Sequence, residues 1–315
     1  MRVAVFNDTS GGGHYGCDLV MDRLRHYLDR QGFETLWTYP SGVDWRPIAT
    51  DLAKKPRVDA IIVNGEGSIH HSSRNQKAAY LPALAPFARD LWGIPAYLVN
   101  VTITELSPEA VDNLRIFDRI YVRESGSAVE LGDAKVNATV VPDLTLSVGL
   151  IEAAGPRVGV LVTDSVRKDD TGLLSKLARD RGWTLHPIQK KKRRFSSLPW
   201  RRSPRIPTED FLHVLSRKSF VVTGRFHTVT LALAAGVPFV ALESNTPKIS
   251  SLLRDVFGTA RRVVSTDVLR KSDLSEFYHW TPDEFSAVRS FVQNVPGRVE
   301  AMFSEIRQRI LAQSP

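Results

Sequence analysis

The chain has 315 residues, 43% of them hydrophobic and 24% charged, with a net charge of +8. That composition excludes a disordered or fibrous chain and allows two globular domains. The single Cys17 excludes an internal disulfide framework and a Cys-rich zinc site, and no apolar run approaches the roughly 18 residues of a membrane span.

Strand and helix patterns alternate from the start. Met1–Phe6 reads as an apolar strand with no leader or cleavage site before it, so the expected compartment is the cytoplasm. Gly-rich Ser10–Gly16 leads into a helix from about Asp18 to Gln31, and Phe33–Tyr39 is the next strand. Val58–Val63 is a buried strand expected to end at the polar cluster Asn64-Gly65-Glu66-Gly67-Ser68. A helix over Lys77–Trp92, a strand at Ala96–Val101, a helix at Pro108–Phe117, a strand at Arg119–Val122 and a helix from Ser125 follow. Thr139–Val141 then carries the chain to Pro142-Asp143.

A second set begins near Arg157: strand Val158–Val162, helix Thr171–Arg181, strand Trp183–Pro187. The segment Lys190–Arg205 then places eight Lys and Arg residues together with no acidic residue. It reads either as a solvated loop or as a patch for anionic membrane lipid or a pyrophosphate-linked acceptor, which would put the protein at the inner membrane face. No recognised nucleic-acid motif accompanies it, so no nucleic-acid partner is expected. Helix Thr208–Ser216 and strand Ser219–Val222 lead to Thr223-Gly224-Arg225-Phe226-His227, then a buried helix over Thr228–Ala235 and strand Pro238–Leu242. Lys248–Phe257 is helical, Arg262–Val264 a short strand, and two helices close the chain, the first opened by a Thr281-Pro282-Asp283-Glu284 capping box.

Two successive α/β sets predict two Rossmann-like domains, 1–153 and 154–315, facing a central cleft. Polar clusters fall at strand carboxyl ends, where such folds bind ligands. Arg225 and His227 supply a permanent cation and an imidazole at a helix start, suited to an anionic group and to proton transfer. Glu66, flanked by glycines, suits a general base or a holder of acceptor hydroxyls, and Asn64, His70, His71, His14 and Asp18 are candidates for the same acceptor side or cleft. Asp18 has an equal claim as a charge complementing its helix N-terminus. Adjacent His70 and His71 point in different directions on any regular element, so no metal site is expected.

The stretch from Arg225-Phe226-His227 through Gly236–Leu242 to Asn245-Thr246-Pro247-Lys248 resembles the C-terminal signature of the polysaccharide pyruvyl transferase family. Tyr121-Val122-Arg123-Glu124-Ser125 and Val141-Pro142-Asp143-Leu144 are similar to its central segments. The resemblance implies a GT-B-like pair of Rossmann-like domains that transfers an enolpyruvyl unit from phosphoenolpyruvate to two hydroxyls of a sugar. The acceptor would belong to a surface polysaccharide or its lipid-linked precursor, and no cofactor is called for. Carried over residue by residue, it puts Arg123, Arg225 and Lys248 on the donor's carboxylate and phosphate, with His227 as acid or base. The N-terminal turns depart from the family: Gly13-His14-Tyr15-Gly16-Cys17-Asp18 has histidine for asparagine and an inserted residue, and Asn64–His71 replaces a glycine run. These departures keep open a second reading, a GT-B-type glycosyltransferase using a nucleotide sugar, with Glu243 on the ribose.

Overall fold

The computed structural model describes residues 1–153, 155–189, 208–271 and 273–313, with only the backbone of residues 208–210. Lys190–Arg205, the basic segment, lies outside the described residues. The chain forms two compact units that do not simply follow chain order. Unit 1 is Met1–Thr9, Leu24–Asp143 and Gly297–Pro315; unit 2 is Ser10–Arg23 and Leu144–Pro296.

The elements of the first half are β1 (Arg2–Asp8), α1 (Tyr15–Arg30), β2 (Glu34–Pro40), α2 (Ala49–Ala53), β3 (Ala60–His70), α3 (Lys77–Tyr80), α4 (Leu84–Trp92), β4 (Ala96–Thr104), α5 (Pro108–Leu114), β5 (Arg119–Val122), α6 (Ser125–Asp133) and β6 (Thr139–Val140). Unit 1 is built on a parallel sheet of order β2-β1-β3-β4-β5-β6. Near-continuous apolar runs such as Ala60–Val63 suit a sheet covered on both faces. Its core packs Phe6, Ile61, Val63, Leu98, Ile120 and Val122 against Leu84, Ala88 and Leu114.

The three largest departures from the sequence reading are in β3, the Lys77–Trp92 helix and the closing helices, and the expected strand Arg262–Val264 is reduced to a bridge between Val263 and Ala241. β3 does not stop at Val63 but continues through the polar cluster to His70, with Glu66 opposite Val101 and an irregularity before Ile69. The strand glycine explains this: a Cβ on Gly65 would collide with the Val101 side chain, so glycine here marks a close strand approach, not a turn. The helix expected over Lys77–Trp92 breaks between Tyr80 and Leu84, where Pro82 lacks the N–H that would continue it.

The remaining elements are β7 (Val160–Ser165), α7 (Lys168–Asp180), β8 (Thr184–Leu185), α8 (Thr208–Ser216), β9 (Phe220–Gly224), α9 (Phe226–Ala234), β10 (Phe239–Ala241), α10 (Lys248–Phe257), α11 (Thr266–Lys271) and α12 (Pro282–Gln313). The third departure is α12, one 32-residue helix where two were expected; it runs through Pro296, and the unit boundary falls directly after that proline. Thr281 and Glu284 do form the capping box, each side chain accepting the other's backbone N–H.

Unit 2 has a parallel sheet of order β10-β9-β7-β8. α9 is buried along its whole length, as its apolar circumference requires. Fully buried Arg262 donates to both Glu284 oxygens and to the carbonyls of Phe239, Phe277 and His279, tying the start of α12 to the unit. In both sheets the second strand lies on one side of the first and the third on the other. The carboxyl ends of β1 and β3, and of β7 and β9, are therefore the switch points at which ligands bind in open α/β sheets.

Candidate functional site

At the switch point of unit 2, β9 ends at Gly224, whose Cα lies against Ser165 at the end of β7. Arg225 follows in an extended conformation as the N-cap of α9, its N–H bonded to Thr223 Oγ1 at 3.0 Å. Its guanidinium pairs with Asp164, Nε lying 2.9 Å from Oδ2 with Nη2 on the same oxygen, and Nη2 also reaches Gln189 Oε1 at 3.4 Å. The other Asp164 oxygen accepts the Ile188 N–H at 3.0 Å, and the Ile188 carbonyl in turn accepts the Tyr15 N–H at 3.2 Å. His14 pairs with Gln189 as an antiparallel bridge. The Gly-rich turn is thus held to the end of β7 through residues 188–189. Asp18 steadies the same turn by accepting the Gly11 N–H at 2.8 Å.

This docking brings His14 to His227, which lies in the first turn of α9: the rings are 5.5 Å apart at 71°. Gly16 makes the approach possible, because a methyl on its Cα would sit 2.5 Å from His227 Nδ1 and closer still to Cβ and Cγ. His14 Nδ1 accepts the Cys17 N–H at 3.3 Å, so the neutral ring carries its proton on Nε2. Burial first, then the charges of His227, Arg225 and Lys248, push the His14 imidazole well below its ordinary range, outweighing a backbone hydrogen bond that favours protonation. Lys248, buried at the start of α10, donates to Asn245 Oδ1 at 2.9 Å.

His14, Cys17 and His227 each offer one ligand atom, all within 4.8 Å of one another. No metal site was expected from the sequence, yet this set has the chemistry of a zinc-type ligand group. Arg225 and Lys248 alongside oppose a cation and favour an anion at the same place. Glu243 has a different setting: its carboxylate accepts the N–H groups of Ser244 at 2.8 Å, Ile249 at 3.2 Å and Ser250 at 3.0 Å, together with the Ser250 hydroxyl. The side chain is a cap for α10.

In unit 1 the ends of β1 and β3 gather polar side chains. Buried Glu66 accepts from the Thr9 hydroxyl and from Asn64 Nδ2 at 3.0 Å, and the Asn7 amide donates to the Asn64 carbonyl and to Ser68 Oγ. Asn7, Glu66, His71, Asn100 and Glu105 all hold positive φ, a concentration of unfavourable backbone typical of functional loops. His70 and His71 share a 2.7 Å Nδ1–Nδ1 contact, and His71 Nε2 lies 3.4 Å from Glu105. Arg123, at the end of β5, is 2% exposed, with Asp143 at 2.9 Å, Glu124 at 3.6 Å and Thr102 Oγ1 at 2.8 Å. Those contacts are the contacts of a buried structural ion pair.

The family model for polysaccharide pyruvyl transferase matches residues 14–246. The chain belongs to that family. The matched span opens at His14, contains Arg225 and His227, and ends before Lys248. Among curated proteins no sequence match was found. Solved structures match over nearly the whole chain. The S. aureus MnaA protein, solved with UDP, is 12% identical with a TM-score of 0.60, covering 100% of this chain and 98% of its own. A Listeria monocytogenes protein described as a UDP-N-acetylglucosamine 2-epimerase is 12% identical with a TM-score of 0.58, covering 96% and 97%. The Methanocaldococcus jannaschii UDP-GlcNAc 2-epimerase, solved with UDP-GlcNAc and UDP, is 11% identical with a TM-score of 0.52, covering 93% and 99%. These likenesses show the fold, a GT-B-like pair of Rossmann-like units.

The sequence reading grouped Arg123, Arg225, His227 and Lys248; the structure places Arg123 in unit 1 and the other three in unit 2. His14 and Asp18, assigned to an acceptor side, belong to that unit as well, whereas Asn64, Glu66, His70 and His71 belong to unit 1. Asp164, Gly16 and Asn7 were missed. Thr163-Asp164-Ser165 is a polar triplet closing an apolar strand, the same signal that exposed Asn64 and Arg225, and it was legible.

Proposed function

We propose that this member of the family transfers the enolpyruvyl unit of phosphoenolpyruvate to two hydroxyls of one sugar, forming a pyruvate ketal. The acceptor is a sugar of a surface polysaccharide or of its lipid-linked precursor, and Lys190–Arg205 serves a peripheral contact with the anionic membrane face in the cytoplasm. The observation that carries this reading is the assembly of Arg225, Lys248, His14 and His227 at the switch point of unit 2. Phosphoenolpyruvate presents a carboxylate and a phosphate, and two fixed cations match two anionic groups. His227 is the proton carrier at the reacting centre. Asn64, Glu66 and their neighbours in unit 1 supply the acceptors and donors that recognise sugar hydroxyls.

A nucleotide-sugar donor is the competing reading, since structural neighbours of this fold were solved with UDP. It would set Glu243 against a ribose, but that carboxylate is engaged in the α10 cap, which supports the enolpyruvyl reading. Thermal-shift titration separates the two, because a ligand that binds only the folded state raises the melting temperature. A shift with phosphoenolpyruvate that Arg225→Ala removes is the expected result. A shift with CMP, UDP or GDP and none with phosphoenolpyruvate would overturn it.

A further inference from the structure

The amino-terminal edge of the unit 2 sheet, at the opposite end of its strands from Arg225 and His227, holds a cavity of about 610 Å³. Val160 opens β7, Phe220 opens β9 and Pro238 immediately precedes β10, and all three line it. Strands of five and six residues separate that edge from the carboxyl ends by roughly 15–20 Å. The facing wall comes from the segment leading into α12: Tyr278, edge-on to Phe220 at 4.8 Å, half-buried Trp280, and Phe285, which is 47% exposed. Arg157 is the permanent charge in the lining. Its Nη1 donates to the Gly236 carbonyl at 2.6 Å and its Nη2 to that of Ala235, where α9 ends, and Trp280 Nε1 donates to the same Gly236 oxygen at 3.2 Å. Among the described residues no carboxylate pairs with Arg157, and burial pushes its guanidinium below the ordinary arginine value. By contrast, Arg123, Arg225 and Arg262 each hold a carboxylate. A half-buried guanidinium facing an aromatic cavity lacks only its counter-charge.

We propose that this cavity is a second glycan site, which holds a sugar ring bearing a carboxylate, the carboxylate on Arg157 and the ring against Tyr278, Trp280 and Phe285. A guanidinium pairs with a carboxylate through parallel N–H donors, and the two carbonyls leave Arg157 three of its five N–H groups. The C–H faces of a pyranose are apolar and pack on aromatic rings, while its hydroxyls need polar partners at the rim. Thr281, whose oxygen accepts the Glu284 N–H, keeps its O–H to donate. Ser219, whose O–H goes to the Gly159 carbonyl, keeps its lone pairs to accept. Charge complementarity makes the occupant an anion, and membership of a polysaccharide-modifying family makes it part of a glycan. Two sources supply that chemistry: a uronic acid of the chain, or a unit already carrying the pyruvate ketal, the latter resting on the enolpyruvyl reading above. A site away from the reacting centre raises the local concentration of a polymeric acceptor without entering the chemistry.

The test is saturation-transfer NMR titration of the full-length protein with glucuronic acid, with the pyruvate ketal of methyl glucoside, and with methyl glucoside itself. At least one of the two acids should bind, and methyl glucoside should bind at least about tenfold more weakly. Whichever acid binds identifies the source. Arg157→Gln should weaken that acid at least about tenfold. Because Arg157 also holds the end of α9, Phe285→Ala is the second variant: it removes an exposed ring, leaves those bonds in place, and should weaken the acid about three- to tenfold. Arg225→Ala and saturating phosphoenolpyruvate should both leave the acid's affinity unchanged. The proposal is overturned if neither acid binds, if methyl glucoside binds as tightly, or if binding is lost in Arg225→Ala and kept in Phe285→Ala. A dimer that Phe285→Ala dissolves would put a second copy of the chain in the cavity and overturn it as well. Failure of phosphoenolpyruvate to shift the melting temperature overturns the donor reading alone; glucuronic acid held through Arg157 would still support this site.

Discussion

Replacing Gly16 by alanine tests the assembly of the site through geometry alone. The added methyl would lie 2.5 Å from His227 Nδ1 and nearer to Cβ and Cγ, where ordinary contact requires 3.4 Å or more. Either the first turn of α1 or the His227 side chain must therefore shift by roughly 1 Å. Overpacking of that kind costs about 1–3 kcal/mol, and a displacement of about 1 Å at a reacting group lowers turnover ~10²-fold. The contact is isolated by a double-mutant cycle with His227→Gly, which removes the three atoms nearest the methyl, His227 Cβ, Cγ and Nδ1. Glycine in α9 carries its own cost of about 1 kcal/mol, which the cycle subtracts. Urea denaturation of the four proteins should give a coupling energy of about 1–3 kcal/mol, with Gly16→Ala nearly harmless once His227 is glycine. Phosphate release from phosphoenolpyruvate with an acceptor glycan should fall in the single variant. If the two substitutions were additive to within about 0.5 kcal/mol, His227 would not lie against Gly16, and the site built on that contact would be wrong.

Asp164→Asn keeps the shape of its side chain but removes the charge that orients Arg225; it should raise the KM for phosphoenolpyruvate several-fold more than it lowers kcat, measured by steady-state kinetics. Glu284→Gln leaves the fully buried Arg262 without its counter-charge and should destabilise the protein by about 3–5 kcal/mol in urea at pH 7. Burial opposes ionisation of Glu284, but Arg262, the Thr281 N–H and Arg261 together hold its carboxyl below the usual range. Its contribution is therefore complete above the unfolded value and lost as pH falls through the folded one, so the gap between wild type and Glu284→Gln should close on acidification below about pH 4. Glu243→Ala removes a cap that satisfies three backbone N–H groups and should lower stability by about 1–2 kcal/mol; a large loss of donor affinity at unchanged stability would make it a ligand residue instead.

Polar side chains that break an apolar run were legible in the sequence: Arg225 and His227 follow the end of β9, and Asn64 and Glu66 follow the apolar start of β3, though that strand runs on through them to His70. What the pattern hides is pairing across distance. The Ser10–Arg23 segment joins unit 2 through two backbone contacts to residues 188–189, and nothing in its composition announces a partner some 170 positions away. The same blindness applies to Arg123: a lone arginine at a strand end looks like an anion ligand until Asp143 and Glu124 are seen to bury it. Cys17 is the opposite case, a small residue at a helix start that reads as packing until the fold sets two imidazoles beside it. Glycine carried more information than it was given. Gly16, Gly65 and Gly224 each lie where another chain segment comes too close for a Cβ, against His227, Val101 and Ser165 respectively. Two of these three contacts lie in unit 2, one at the residue before Arg225 and one against His227. Where glycines flank an isolated polar residue at a strand end, close approach is therefore as good a reading as a turn.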